Sequence, residues 1–157
     1  MAYTTTPAPD AAEALNALQR AAAKLPLNNR FSNQELEILY SQGYQLFQQE
    51  HLEKAMRYFA TLLIYRPLEP KYLKALAICY HKLGMLREAL QTYAFAIIFR
   101  PEDFSILLSM AECHLGLNET ADALNILQTI SGIDDAPPQQ QPFIDRAKLL
   151  LEARKGS

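Results

Sequence analysis

Two consecutive stretches decide how this chain folds: residues 36–69, LEILYSQGYQLFQQEHLEKAMRYFATLLIYRPLE, and residues 70–103, PKYLKALAICYHKLGMLREALQTYAFAIIFRPED. Written one under the other they agree at an offset of 34: Ala55 falls on Ala89, Arg66-Pro67 falls on Arg100-Pro101, and Lys54 and Glu88 precede the two alanines. Residues 104–135 continue the register more loosely, with Asp122-Ala123 at the same place. With Leu36, Pro70 and Phe104 as first positions, small residues recur at the eighth place (Gly43, Ala77, Ala111) and the twentieth (Ala55, Ala89, Ala123). Large apolar residues recur at the fourth place (Leu39, Leu73, Leu107) and the twenty-fourth (Phe59, Tyr93, Leu127). A fixed period in this range marks a stacked array whose units bury one another's apolar faces, and the small residues mark where helices cross closely.

Composition agrees. The 157 residues include 25 Leu and 22 Ala against 10 Ile and 7 Thr, with no Val and no Trp, a helical vocabulary that excludes an all-β fold. A net charge of −2 and a pI near 5.9, with scattered Lys and Arg, give no footprint for nucleic acid. No run of roughly 18 uncharged apolar residues exists, so stable membrane insertion is not expected. The N-terminus lacks a basic region before its Ala-rich run, which Glu13, Arg20 and Lys24 interrupt, so it does not read as a signal peptide. A cytoplasmic protein is expected, in which Cys79 and Cys113, without CxxC spacing, are free thiols.

Helix signals divide the chain. Residues 1–31 form an N-terminal segment with a helix over about 11–24, Asp10 as its N-cap and an end before Pro26. Its stripe Leu15, Leu18, Ala22 and Leu25 either folds back on the array as a cap or serves self-association. Residues 32–135 hold three helix pairs (36–69, 70–103, 104–135), opened by the capping box Ser32 to Glu35. The third unit lacks the terminal Pro, having Asp135 there, and its second helix is expected to stop at Ser131-Gly132, where Gly suits a C-cap. Residues 136–157 read as a loop and a final helix from Pro142, whose Phe143, Ala147, Leu150 and Leu151 cap the array.

The 34-residue period, with small residues at places eight and twenty and Pro after the second helix, resembles the tetratricopeptide repeat, over residues 36–135. The segment Leu39-Tyr40-Ser41-Gln42-Gly43-Tyr44 through Leu52-Glu53-Lys54-Ala55, then Ala75 to Cys79 and Ala111-Glu112-Cys113, further resembles the class II chaperones of bacterial type III secretion. That resemblance implies an all-α superhelix of three helix pairs with an N-terminal helix and a C-terminal capping helix. It implies a homodimeric cytoplasmic chaperone that holds an extended segment of a hydrophobic translocator in its concave groove, keeping it soluble and export-competent. The groove residues it implies are Tyr40, Tyr44 and Phe47 in the first repeat, Lys71, Lys74, Ile78 and His81 in the second, and Leu108, Glu112 and Leu115 in the third. Tyr40, Tyr44 and Phe47 share one helical face, and with places four, eight and eleven supplying the core this aromatic stripe is surplus to packing.

Other readings are a co-chaperone of a secretion needle subunit and a general tetratricopeptide adaptor. An adaptor for acidic tails needs Lys at place five and Asn at place nine. Lys74 supplies the first, but place nine holds Tyr44, Ile78 and Glu112. No catalytic constellation is present, and none of His51, His81 and His114 has a Cys, Asp or Glu at ligand spacing, so neither a metal nor a cofactor is expected.

Overall fold

The structure is a computed structural model and describes residues 11–24 and 29–156. Every regular element among them is a helix: α1 (Ala11–Ala23), α2 (Asn33–Gln48), α3 (Leu52–Tyr65), α4 (Pro70–Lys82), α5 (Leu86–Phe99), α6 (Phe104–Gly116), α7 (Thr120–Ser131) and α8 (Gln141–Lys155). From α2 to α8 each helix packs on the next, and α8 also touches α6. The result is the tetratricopeptide superhelix, three helix pairs closed by one further helix. No helix among the described residues is long and apolar enough to cross a membrane.

Local chemistry explains where the helices begin and end. Ser32 Oγ accepts the Glu35 N–H at 3.2 Å while Ser32 N–H donates to Glu35 Oε2 at 2.8 Å, the reciprocal pair that satisfies two orphan donors. The Ser32 N–H and the Ser32 hydroxyl, which donates to the same Oε2 at 2.9 Å, hold the Glu35 carboxyl below its ordinary value. Within each repeat the first helix ends in the same way. His51, Met85 and Glu119 donate their N–H to Leu46, Tyr80 and His114 carbonyls, each at 2.9 Å. Glu50 (φ 61°), Gly84 (φ 76°) and Asn118 (φ 62°) take the left-handed conformation that this termination requires. Gly and Asn suit that place and Glu does not. Glu50→Gly should therefore raise stability by about 1 kcal/mol, less the exposed Glu50–Lys82 pair it removes, and lift Tm by about 2 °C in a thermal melt.

The repeat frame is visible in the packing. Ala55, Ala77, Ala89, Ala111 and Ala123 are fully buried, and Phe59, Tyr93 and Leu127 fill the space between paired helices. At Gly43 even a methyl group would stand 2.9 Å from Tyr58 Cβ, so the α2–α3 crossing needs the missing side chain. Three buried clusters follow one another along the array, centred on Phe59, Tyr93 and Leu127. Cys79 and Cys113 lie fully buried in the first two, unpaired, and burial pushes both thiols up to about 11.

Three sequence expectations change here. Leu39 and its counterpart Leu107 are only half-buried, and the large buried side chains of their helices are Leu36 on α2 and Ile106 and Leu108 on α6. Gly132 does end α7, but at φ −85°, so its left-handed freedom is not used. The buried clusters draw on no described residue of α1, and Leu18 on that helix is 53% exposed. The Leu15 side chain, Leu25 and the expected N-cap Asp10 lie outside the described residues.

Candidate functional site

A cavity of about 480 Å³ opens on the face formed by the first helices of the repeats. One wall is α2, which contributes Tyr40, Tyr44 and Phe47, three rings stacked along the helix with centroids 6.4 Å apart at each step. The facing wall is α4, through Lys71, Lys74, Ala75 and Ile78. Phe59 and Ile106 lie at the floor, and Pro70, Arg100, Glu102, Asp103 and Gln140 close one rim. Helical spacing of four and three residues explains the aromatic wall, since i, i+4 and i+7 project from one side.

These rings are not equivalent. Tyr40 is half-buried and leans on Phe59 and Tyr72, with centroids 5.6 and 5.7 Å away, so it belongs to the core as much as to the cavity. Burial, then the neighbouring Tyr44 and Glu37, push its hydroxyl pKa up. Lys71 Nζ sits 4.0 Å above the ring and is held 2.8 and 2.9 Å from the Glu37 carboxylate oxygens, tying α4 to α2. Tyr44 is 48% exposed and free to meet a ligand. Phe47 is partly covered, with Lys82 Nζ 5.3 Å from its centroid.

On the other side of α4, Lys74 Nζ reaches Asp103 Oδ2 at 2.6 Å. Asp103 is also the N-cap of α6, its Oδ1 accepting the Ser105 N–H at 3.1 Å. Burial pushes the Asp103 carboxyl up, but the hydrogen bonds from Lys74 and Ser105 outweigh it and hold it below the usual range. A depressed carboxyl stabilises the fold above the unfolded pKa of about 4, and this is lost as pH falls through the folded value. Asp103→Asn keeps the cap and removes the ion pair. It should cost about 1 kcal/mol at pH 7, or about 3 °C in Tm, and the gap to wild type should narrow in melts below about pH 4.

The remaining expected groove residues lie elsewhere. His81 is half-buried with its ring edge-on to Tyr93 at 6.2 Å. Leu108 is buried in the third cluster beside Ile144 and Ala147 of α8. Glu112 is paired with Arg146 Nε of α8 at 3.8 Å. Leu115 lines a separate cavity with Leu124, Leu150 and Arg154. For the three residues of α6, packing of α8 against α6 and α7 is the common cause. Asp103 carried a signal in its place before Phe104-Ser105, the position of an N-cap, whereas nothing local in the sequence pointed to Gln140.

The histidine reading also needs correction. Sequence spacing leaves His114 without an acid at ligand distance, but the turn between α6 and α7 brings Glu119 Oε2 to 2.7 Å from its Nδ1. Arg87 binds the other oxygen at 2.8 Å, and Asp122 stands close enough for the three acid and imidazole groups to meet within 4.8 Å. The hydrogen bond from His114, aided by Arg87, holds the Glu119 carboxyl below its usual range despite partial burial. This is an ion-pair cluster that fastens the turn.

The tetratricopeptide repeat family profile matches residues 36–67 and 70–103. Comparison with curated protein sequences gives no match. PcrH from Pseudomonas aeruginosa matches with a TM-score of 0.73 at 26% identity, over 82% of this chain and 98% of that one. The architecture is that of the type III secretion translocator chaperones. PcrH in complex with the chaperone-binding region of PopD gives a TM-score of 0.75 at 26% identity, covering 81% of this chain and 96% of PcrH. The Yersinia enterocolitica type III secretion chaperone SycD, solved with a peptide of the translocator YopD, gives 0.74 at 24% identity, over 81% and 97%. At that identity the likeness to SycD is one of fold.

Proposed function

We propose that this chain is a cytoplasmic chaperone of a bacterial type III secretion system that binds hydrophobic translocator subunits through an extended segment. The observation that carries the reading is the cavity between α2 and α4, where an exposed Tyr44, Phe47 and Ile78 offer apolar contact in an array matching PcrH, itself solved with a client region. Apolar side chains of the client enter between the rings, and the ammonium groups of Lys71 and Lys74 on the facing wall lie beside its backbone. No bond is made or broken. Covering the client's apolar surface keeps it from aggregating and from inserting in a membrane before export.

Self-association is part of this proposal. Leu18, exposed on α1, is supported as one member of a dimer contact with Leu15, Ala22 and Leu25. Sedimentation of Leu18→Glu against wild type checks it: a halved mass is expected, and an unchanged one removes α1 from the contact. The function itself is tested by co-expression with a hydrophobic translocator of the same secretion system. The client should stay soluble and co-purify with the chain, and a client that precipitates equally with and without it would sink the reading.

A further inference from the structure

We infer that Gln140 is the end stop of the groove and that α8 permanently occupies the third repeat's share of the concave face, an inference that rests on the chaperone reading above. Gln140 lines the cavity, and of α6 only Ile106 does so. Gln140 is pinned there: its Oε1 accepts the Phe104 N–H at 3.3 Å and its own N–H donates to Pro137 O at 2.8 Å. Beyond it, the concave positions of α6 are already in use. Leu108 shares a buried cluster with α8, and Glu112 is paired with Arg146.

Nor is α8 a loose lid. Its Ile144 and Ala147 are 1% and 0% exposed, packed with Leu127 and Ile130, so a client would have to open the third core to displace it. A bound segment is therefore read by α2, α4 and the first turn of α6. Past Ile106 the client chain must turn out over Arg100 and Glu102, which are exposed. The ligand chemistry this selects is an extended peptide with a short run of apolar anchors followed by polar residues, and a longer apolar run gains nothing.

The test uses the full chain and a fluorescent peptide of the PopD chaperone-binding region, read by anisotropy. Gln140→Trp, which pushes a bulky ring into the end of the cavity, should weaken binding at least tenfold, while Glu112→Ala and Leu115→Ala stay within twofold of wild type. Should Gln140→Trp lose its helical signal, Gln140→Ala serves instead. It should bind the original peptide within twofold, yet bind at least threefold more tightly one of two peptides extended by a pair of leucines at either end. A tenfold loss in Glu112→Ala or Leu115→Ala, or no effect of either Gln140 change, overturns the end stop and leaves the chaperone reading intact. Failure of the wild-type chain to bind the peptide at all counts against the chaperone reading itself.

Discussion

Phe59→Ala should lower the stability of the array by about 4 kcal/mol and its Tm by about 10 °C or more. Phe59 is 1% exposed and sits in the middle of the first buried cluster. Its ring edge packs where Gly43 leaves room, so close that an added methyl there would approach Phe59 Cε1 to 3.0 Å. Tyr40 leans on its face, and Leu36, Leu62 and Tyr72 complete the cluster. Truncation removes the transfer free energy of a benzyl group and leaves a cavity that fully buried neighbours on two helices cannot close. Because a repeat array is held by neighbour contacts, the damage should be local first: amide exchange should accelerate in α2 and α3 before α6 to α8. Calorimetry and hydrogen exchange on the same variant check both parts, and a loss under about 1 kcal/mol would mean the first cluster is not packed as described.

The second large effect concerns binding. Tyr44→Ala combined with Phe47→Ala should weaken a translocator peptide by about 3 kcal/mol, over a hundredfold, since truncating a central aromatic anchor commonly costs 1–2 kcal/mol or more. The pair is preferable to any variant that includes Tyr40. Tyr44 is 48% exposed, and Phe47 packs only at the margin of the first cluster. Tyr40 touches Phe59 and Tyr72 and carries the Lys71 contact, so its loss would mix unfolding with lost affinity. Anisotropy with the PopD region, beside a thermal melt, separates the two. Wild-type affinity in the double variant would move the binding surface off this face.

Much of the site was legible because helix spacing is local. Tyr40, Tyr44 and Phe47 fall on one face by arithmetic, and Lys71, Lys74 and Ile78 face them because the next repeat repeats the first. Helix spacing alone does not account for a third element that intervenes. Treating all three repeats alike put Leu108, Glu112 and Leu115 in the groove, but α8 stands against that part of α6. Nor is the whole aromatic stripe surplus to packing, since Tyr40 packs on Phe59 and on Tyr72 of the next repeat.

By itself the sequence determined the helix pairs, their period, the small residues at the crossings, the capping box at Ser32 and the unpaired state of both thiols. Each of these depends on residues within one repeat or at a constant offset, so spacing alone exposes it. Only the tertiary structure decided which concave side chains remain available to a partner. That depends on contacts between segments far apart in the chain, such as Gln140 on Phe104 and Arg146 on Glu112, and no periodicity of the repeats encodes where the last helix comes to rest.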